Sequence, residues 1–308
     1  MDHRHILVLA DMEGSSLCFD RDGAGFLTLA WVNACAGMSA DAASVVSALF
    51  DAGVERVTVK DFHRTGWNLL PEFIDRRADV VQGFRAGPVP GIGDPCDATG
   101  VMFLGMHAPS GTDGFLPHTL TSRLAAVEVN GGLMGEVELF ASSLAPFGLR
   151  PLFLSGCPVA CRHAKEAIKG IDTHPIPKKG SDAASFKPEP WRMELAEAAA
   201  DSLRNRTVEP YLPEGPIYAV VTMREGPAAA RRLARRWGFT RDGSRIFLFA
   251  PDMHSFYRQL IQLVYFTPLM EKNLPVALAF YDLLGRAGLA WVRRRLKGQS
   301  ISASQVSA

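Results

Sequence analysis

The chain has 308 residues, of which 47% are hydrophobic and 21% charged, with a formal net charge of +1. This balance suits a folded chain with a sizeable core, excludes a disordered class, and gives no electrostatic footprint for nucleic acid. The five cysteines (18, 35, 96, 157 and 161) form no tight disulfide framework and no paired zinc ribbon, so a cytoplasmic, reducing setting is expected.

The opening MDHRHILVLADME lacks the charged, apolar and cleavage regions of a secretory leader. No apolar run reaches the roughly 20 residues of a membrane span, so no transmembrane segment is expected. HILVLA (5–10) reads as a first strand, and SADAASVVSALFDAG as a helix over 39–52 with Ser39 as N-cap and Gly53 as stop. RVTVKDF (56–62), VMFLGM (101–106) and RPLFLSG (150–156) read as further strands, with a helix over 135–147 before the last of them. These runs read as continuous rather than alternating, as in strands covered on both faces, and their succession with helices predicts an α/β fold with a mainly parallel sheet.

The Pro-, Lys-, Gly- and Ser-rich stretch 172–190 reads as a loop or lid, followed by a helix over 191–205. IYAVVTM (217–223), a helix over 226–237 and RIFLFA (245–250) predict a β-α-β unit, then a helix over 252–267. The domain reading is a metal-binding catalytic part over 1–205, a smaller α/β subdomain over 206–270, and a C-terminal helix and tail over 271–308. That last helix, 275–297, ends in WVRRRLKG and reads as structural packing or an oligomer contact, with a membrane-surface anchor as the rival.

A parallel sheet collects its chemistry at the carboxyl ends of its strands. Asp11 and Glu13 follow the first strand, Asp61 and His63 the second, and His107 the third; His118 comes shortly after, and Glu136 opens a helix. Asp11 and Glu13, at i and i+2 of an extended segment, point to one side and repel unless a cation sits between them or one keeps its proton. Any one of these residues alone reads as a helix cap or a hydrogen-bonded imidazole, but together they form the donor set zinc prefers, with manganese or cobalt also suited. If Asp11 bridges, five such ligands can hold two ions about 3.5–4 Å apart, as in two-metal hydrolases. His3, His5, His163, His174 and His254 keep no comparable company and read as structural or surface residues.

DMEG at 11–14, DFH at 61–63, GMHA at 105–108, PHT at 117–119 and NGGLMGE at 130–136 resemble the D-aminopeptidase family, metallopeptidase family M55. The likeness runs from residue 5 to about 170 and more loosely to about 268. The resemblance implies two zinc ions per chain: Asp11 bridging, Glu13 and His63 completing one site, His107 and Glu136 the other. It implies that His118 is the catalytic histidine beside the metals, that short peptides with an amino-terminal D-residue are the substrates, and that the enzyme is a cytoplasmic homo-oligomer. Cys157 and Pro158 stand where the family often has acidic residues, Phe62 is bulkier than usual, and Lys178 and Lys179 offer either a substrate-carboxylate contact or a solvated loop. Two rivals are a phosphatase of the haloacid-dehalogenase type, suggested by DMEGS and served by Lys60 or Lys165, and a metal-binding family member without turnover.

Overall fold

The computed structural model describes residues 4–298; His3 and the tail 299–308 lie outside the described residues. The first part of the chain forms β1 (His5–Ala10), α1 (Leu29–Asp51), β2 (Arg56–Asp61), β3 (Asp79–Val81) and β4 (Gly100–Met106). Then come β5 (Leu124–Val129), β6 (Gly132–Leu133), α2 (Glu136–Leu144), β7 (Arg150–Gly156), α3 (Pro158–Ala167) and β8 (Asp172–Pro175). The remainder is α4 (Gly180–Ala184), α5 (Pro188–Ser202), β9 (Ile217–Met223), α6 (Pro227–Trp237), β10 (Thr240–Asp242), β11 (Arg245–Ala250), α7 (Met253–Tyr265), α8 (Pro268–Lys272) and α9 (Leu274–Gly298).

Six strands make a parallel sheet in the order β3-β2-β1-β4-β7-β8, the expected α/β core. β1 and β4 are buried throughout and β7 nearly so, which is why they read as unbroken apolar runs. A second, antiparallel sheet has the order β10-β11-β9-β5-β6. Its β5 and β6 come from residues 124–133 and pair with each other and with β9, so this sheet draws strands from both sides of residue 205. Burial alternates along β9, as it does in an antiparallel strand with one wet face.

α1 begins ten residues before its predicted start. Thr28 is the cap, its Oγ1 accepting from the Trp31 N–H at 2.9 Å. Ser39 lies inside the helix, donating to the Cys35 carbonyl at 2.6 Å and accepting from the Leu70 N–H at 2.9 Å. A serine satisfied by its own preceding turn mimics a cap in sequence. By length and composition α1 would suffice to cross a membrane, which the sequence reading did not anticipate; here it is a core helix packed on the parallel sheet, α5 and α9. The predicted lid contains β8, α4 and the start of α5. Cys157 caps α3 through Sγ, which accepts from the Ala160 N–H at 3.4 Å, with Pro158 in the first turn.

α9 docks by its second half. A Cβ on Gly285 would stand 2.3 Å from Trp67 Cδ1, so only glycine permits this approach. Trp67 Nε1 donates to Asp282 at 2.6 Å, Trp291 stacks on Trp31 at 6.1 Å, and Arg293 forms a two-pronged pair with Glu72 at 2.8 Å. Gly285→Val is therefore expected to cost about 1–3 kcal/mol and to speed proteolysis between 266 and 274. An unchanged melting temperature with unchanged cleavage would refute this account of the docking.

Candidate metal centre

Strand order reverses at β1, which has β2 on one side and β4 on the other. A parallel sheet opens a crevice at the carboxyl ends of such strands. The turn after β1 delivers Asp11 and Glu13, the turn after β2 delivers His63, and the end of β4 delivers His107. Glu136 is the first residue of α2, and His118 stands on the segment between β4 and β5. After Glu13 the chain turns against the end of β4: Gly14 donates to the Gly105 carbonyl at 2.7 Å, and a Cβ on Gly14 would lie 2.4 Å from the Met106 oxygen. That glycine is what lets the carboxylate pair sit directly over the sheet.

The structure brings all six candidate residues together in two clusters, Asp11, Glu13 and His63 in one and His107, His118 and Glu136 in the other. His63 Nδ1 lies 3.3 Å from Asp11 Oδ1 and 3.0 Å from Glu13 Oε2. His107 Nε2 lies 3.6 Å from Asp11 Oδ2 and 3.2 Å from Glu136 Oε1. Asp11 thus faces an imidazole of each cluster. His118 stacks on His107 with ring centres 3.7 Å apart, and its Nε2 is 3.8 Å from Glu13 Oε1. The first five side chains are at most 7% exposed, His118 20%.

The outer nitrogen of each imidazole meets a backbone carbonyl: His63 Nε2 with Ala24 at 3.3 Å, His107 Nδ1 with Ala108 at 3.0 Å, His118 Nδ1 with Leu116 at 2.8 Å. A carbonyl only accepts, so that nitrogen carries the proton and a neutral ring turns a lone pair inward, as a metal-ligating histidine does. Inward lone pairs then face carboxylate oxygens, and two of those oxygens, Asp11 Oδ2 and Glu13 Oε2, are buried without a hydrogen-bond partner. Such an arrangement calls for positive charge at its centre.

Protonation follows the same logic. Burial, reinforced by Glu13, pushes the Asp11 carboxyl up to about 7. Burial would raise Glu13 too, but His63 and His107 outweigh it and hold it well below the usual range. Burial opposes charge on His63, yet Glu13 and Asp11 lift it to about 10. His107 is likewise raised against its burial, by Glu136 and Asp11. Without a cation, the centre takes up protons in its place. The donor set therefore fits divalent metal.

Asp61, though beside His63 in sequence, is not in this cluster. Its carboxylate accepts from the Asn68 N–H at 2.5 Å, Asn68 Nδ2 at 2.9 Å and the Leu69 N–H at 2.8 Å, closing the turn that presents His63. One support was not picked out by the sequence reading. Arg192 of α5 donates to Asp41 at 2.9 Å and to Ser16 Oγ at 3.0 Å, while the Ser16 N–H donates to Asp41 at 2.7 Å. Nothing in the local sequence around Arg192 signals a partner in α1.

Lys178 is buried and donates to the carbonyls of Ser15 and Cys18, so it anchors the loop after Glu13 and is neither solvated nor turned to substrate. Lys179 is exposed and donates to the Asp113 carbonyl. Burial lowers the Lys178 ammonium to about 8 from 10.5. Between these values the unfolded chain holds a proton that the folded chain has lost, so stability rises with pH across that window and is flat below it. Relative to Lys178→Met, the wild type is expected to gain up to about 3 kcal/mol between pH 8 and 10.5 in urea melts. Parallel pH profiles would exclude this assignment.

Over the cluster lies a cavity of about 1170 Å³ that these residues line together with apolar side chains from α8 and α9. The family model described as D-aminopeptidase, peptidase M55, matches residues 5–261. The chain belongs to the D-aminopeptidase family. A D-aminopeptidase of Bacillus subtilis (strain 168) is 26% identical over 197 residues, 62% of this chain and 71% of that relative. The Zn-dependent D-aminopeptidase DppA from Bacillus subtilis, a self-compartmentalizing protease, shares the fold with a TM-score of 0.77 and 23% identity over 84% of this chain and 96% of its own. Membership of the D-aminopeptidase family makes this chain a metal-dependent hydrolase and removes the phosphatase alternative.

Proposed function

We propose that the protein is a dinuclear zinc aminopeptidase that hydrolyses the first amide bond of short peptides beginning with a D-residue. The observation that carries this reading is the pair of orphaned, buried carboxylate oxygens, Glu13 Oε2 and Asp11 Oδ2, faced by the inward nitrogens of His63 and His107. Glu13 and His63 would hold one ion, His107 and Glu136 the other, with Asp11 between them; manganese or cobalt can take zinc's place. Bound there, the ions supply Lewis acidity toward the scissile carbonyl and toward water.

The chain's own side chains do the rest. The Ala24 and Ala108 carbonyls fix the ring orientations of His63 and His107. The Leu120 N–H, donating at 2.7 Å, holds Glu136 Oε1 in place. The Leu116 carbonyl fixes the proton of His118 on Nδ1, which leaves Nε2 free to move a proton toward the leaving amine. Apolar side chains of the cavity, Leu116, Leu120, Leu274 and Leu278 among them, would shed water where the bound peptide covers them.

The self-compartmentalizing neighbour supports a homo-oligomer, and five unpaired cysteines support a cytoplasmic setting. The test is product release from D-alanyl and L-alanyl amides by the zinc-loaded protein. The D-substrate is expected to be favoured by about 100-fold or more, the scale at which a positioned substrate outruns a misplaced one. Equal rates, or no release from either, would overturn the reading.

A further inference from the structure

The family match ends at residue 261, yet the cavity over the metal-facing side chains is completed by residues that follow it. Met270 of α8 and Leu274, Leu278 and Phe280 of α9 line it, along with Leu116 and Leu120 from the His118 segment. This wall is attached at both ends. At its start the Tyr265 hydroxyl donates to the Leu120 carbonyl, and the Leu120 N–H in turn holds Glu136. At its far end Asp282 accepts from Trp67, in the turn that carries His63, and Gly285 sits against the same indole. Between these anchors the first half of α9 is largely exposed; Phe280 is 71% exposed, apolar surface next to the cavity that a ligand can cover.

We propose that α8 and the first half of α9 are a selectivity wall, appended beyond the family match, that favours amides bearing a large apolar group next to the scissile bond. The proposal rests on the amide-hydrolase reading for its chemistry and deepens it by naming the substrate class. The wall offers leucine, methionine and phenylalanine side chains, which reward apolar burial, while the cavity's charged residues Arg64, Arg123, Arg224 and Glu225 stand on other segments. The cavity, about 1170 Å³, exceeds the roughly 300–1,000 Å³ of ordinary ligand sites and far exceeds what an alanyl side chain fills. The anchors hold the wall at a set distance from the metal-facing side chains, so it selects by size and polarity.

The experiment measures binding of 3-phenylpropionohydroxamate and acetohydroxamate to the zinc-loaded protein by calorimetry, beside turnover of D-phenylalanyl and D-alanyl amides. The aryl hydroxamate is expected to bind about tenfold or more tightly than the methyl one, from burial of its ring. In the Leu274→Ala, Leu278→Ala, Phe280→Ala triple variant that ratio falls toward one. Phe280→Ala alone lowers it part-way, a substitution at an exposed position that folding tolerates. Val276→Ala, on an exposed position of α9 away from the cavity, keeps the ratio. A ratio near one in the wild type, an unchanged ratio in the triple variant, or binding of neither hydroxamate overturns the proposal. Absent D-amide turnover with the ratio intact sinks the peptidase reading and leaves the wall standing.

Discussion

Replacing Asp11 with alanine is expected to remove both metal equivalents and to lower amide hydrolysis by about a thousandfold or more. Asp11 stands between His63 and His107, with Oδ1 3.3 Å from the first and Oδ2 3.6 Å from the second, whereas Glu13 meets His63 and, at 3.8 Å, His118. Asp11 Oδ2 is buried with no hydrogen-bond partner, and Asp11 Oδ1 meets His63 Nδ1, so the close partners of this carboxylate belong to the centre itself. Deleting it takes negative charge from beside both His63 and His107 at once, where deleting Glu13 or Glu136 takes it from beside one of them. The measurement is metal per chain by mass spectrometry, in wild type and Asp11→Ala, beside turnover and melting temperature. Wild type is expected to carry two ions and to melt higher than the metal-free protein, because four separate segments share the ligands. Retention of one full equivalent by the variant would place Asp11 in a single site and reject the bridging role.

His118→Gln is expected to lower kcat by about 10²–10⁴ while both metal equivalents stay bound. His118 differs from the other five residues in ways that set it on the substrate side. It is 20% exposed where they are at most 7%, and its Nε2 is 3.8 Å from the nearest carboxylate, the longest such separation in the group. Glutamine keeps a polar side chain of similar reach but cannot pass a proton onward. The stack on His107 is lost too, so a partial rise in KM is expected beside the fall in kcat. The outcomes divide cleanly. Loss of one metal equivalent would make His118 a ligand of the His107 and Glu136 cluster, whereas near-normal kcat with both metals bound would end its proton-transfer role.

Much of the centre was legible along the chain. β1, β4 and β7 are covered on both faces, so their apolar runs could be read directly, and the polar residues just past them and past β2 had to fall at one sheet edge. Asp61 marks where this logic overreached. It follows the same strand as His63, but its carboxylate turns back to the Asn68 and Leu69 backbone, a local hydrogen-bonding choice that position alone does not reveal. Ser39 misled for a related reason, because a serine bonded to its own helix and one capping a helix look alike in sequence. The antiparallel sheet was hidden because β6 and β10 are two or three residues long and β5 is only partly buried, so no periodic signal builds up.

The sequence by itself determined the parallel α/β core, the six residues of the centre and their donor chemistry, because each rests on local pattern and on residue type. Only the tertiary structure decided what steadies and encloses that centre. Lys178 reaches Ser15 across 163 positions, Arg192 reaches Asp41 across 151, and Trp67 reaches Asp282 across 215. Such partners are chosen by the packing of distant elements around one core, and neither residue of a pair carries a mark of the other in its own neighbourhood. The C-terminal helix shows the difference most plainly: its amphipathic pattern announced a helix, while the place of that helix over the cavity followed from a glycine, an aspartate and an arginine meeting residues near the other end of the chain.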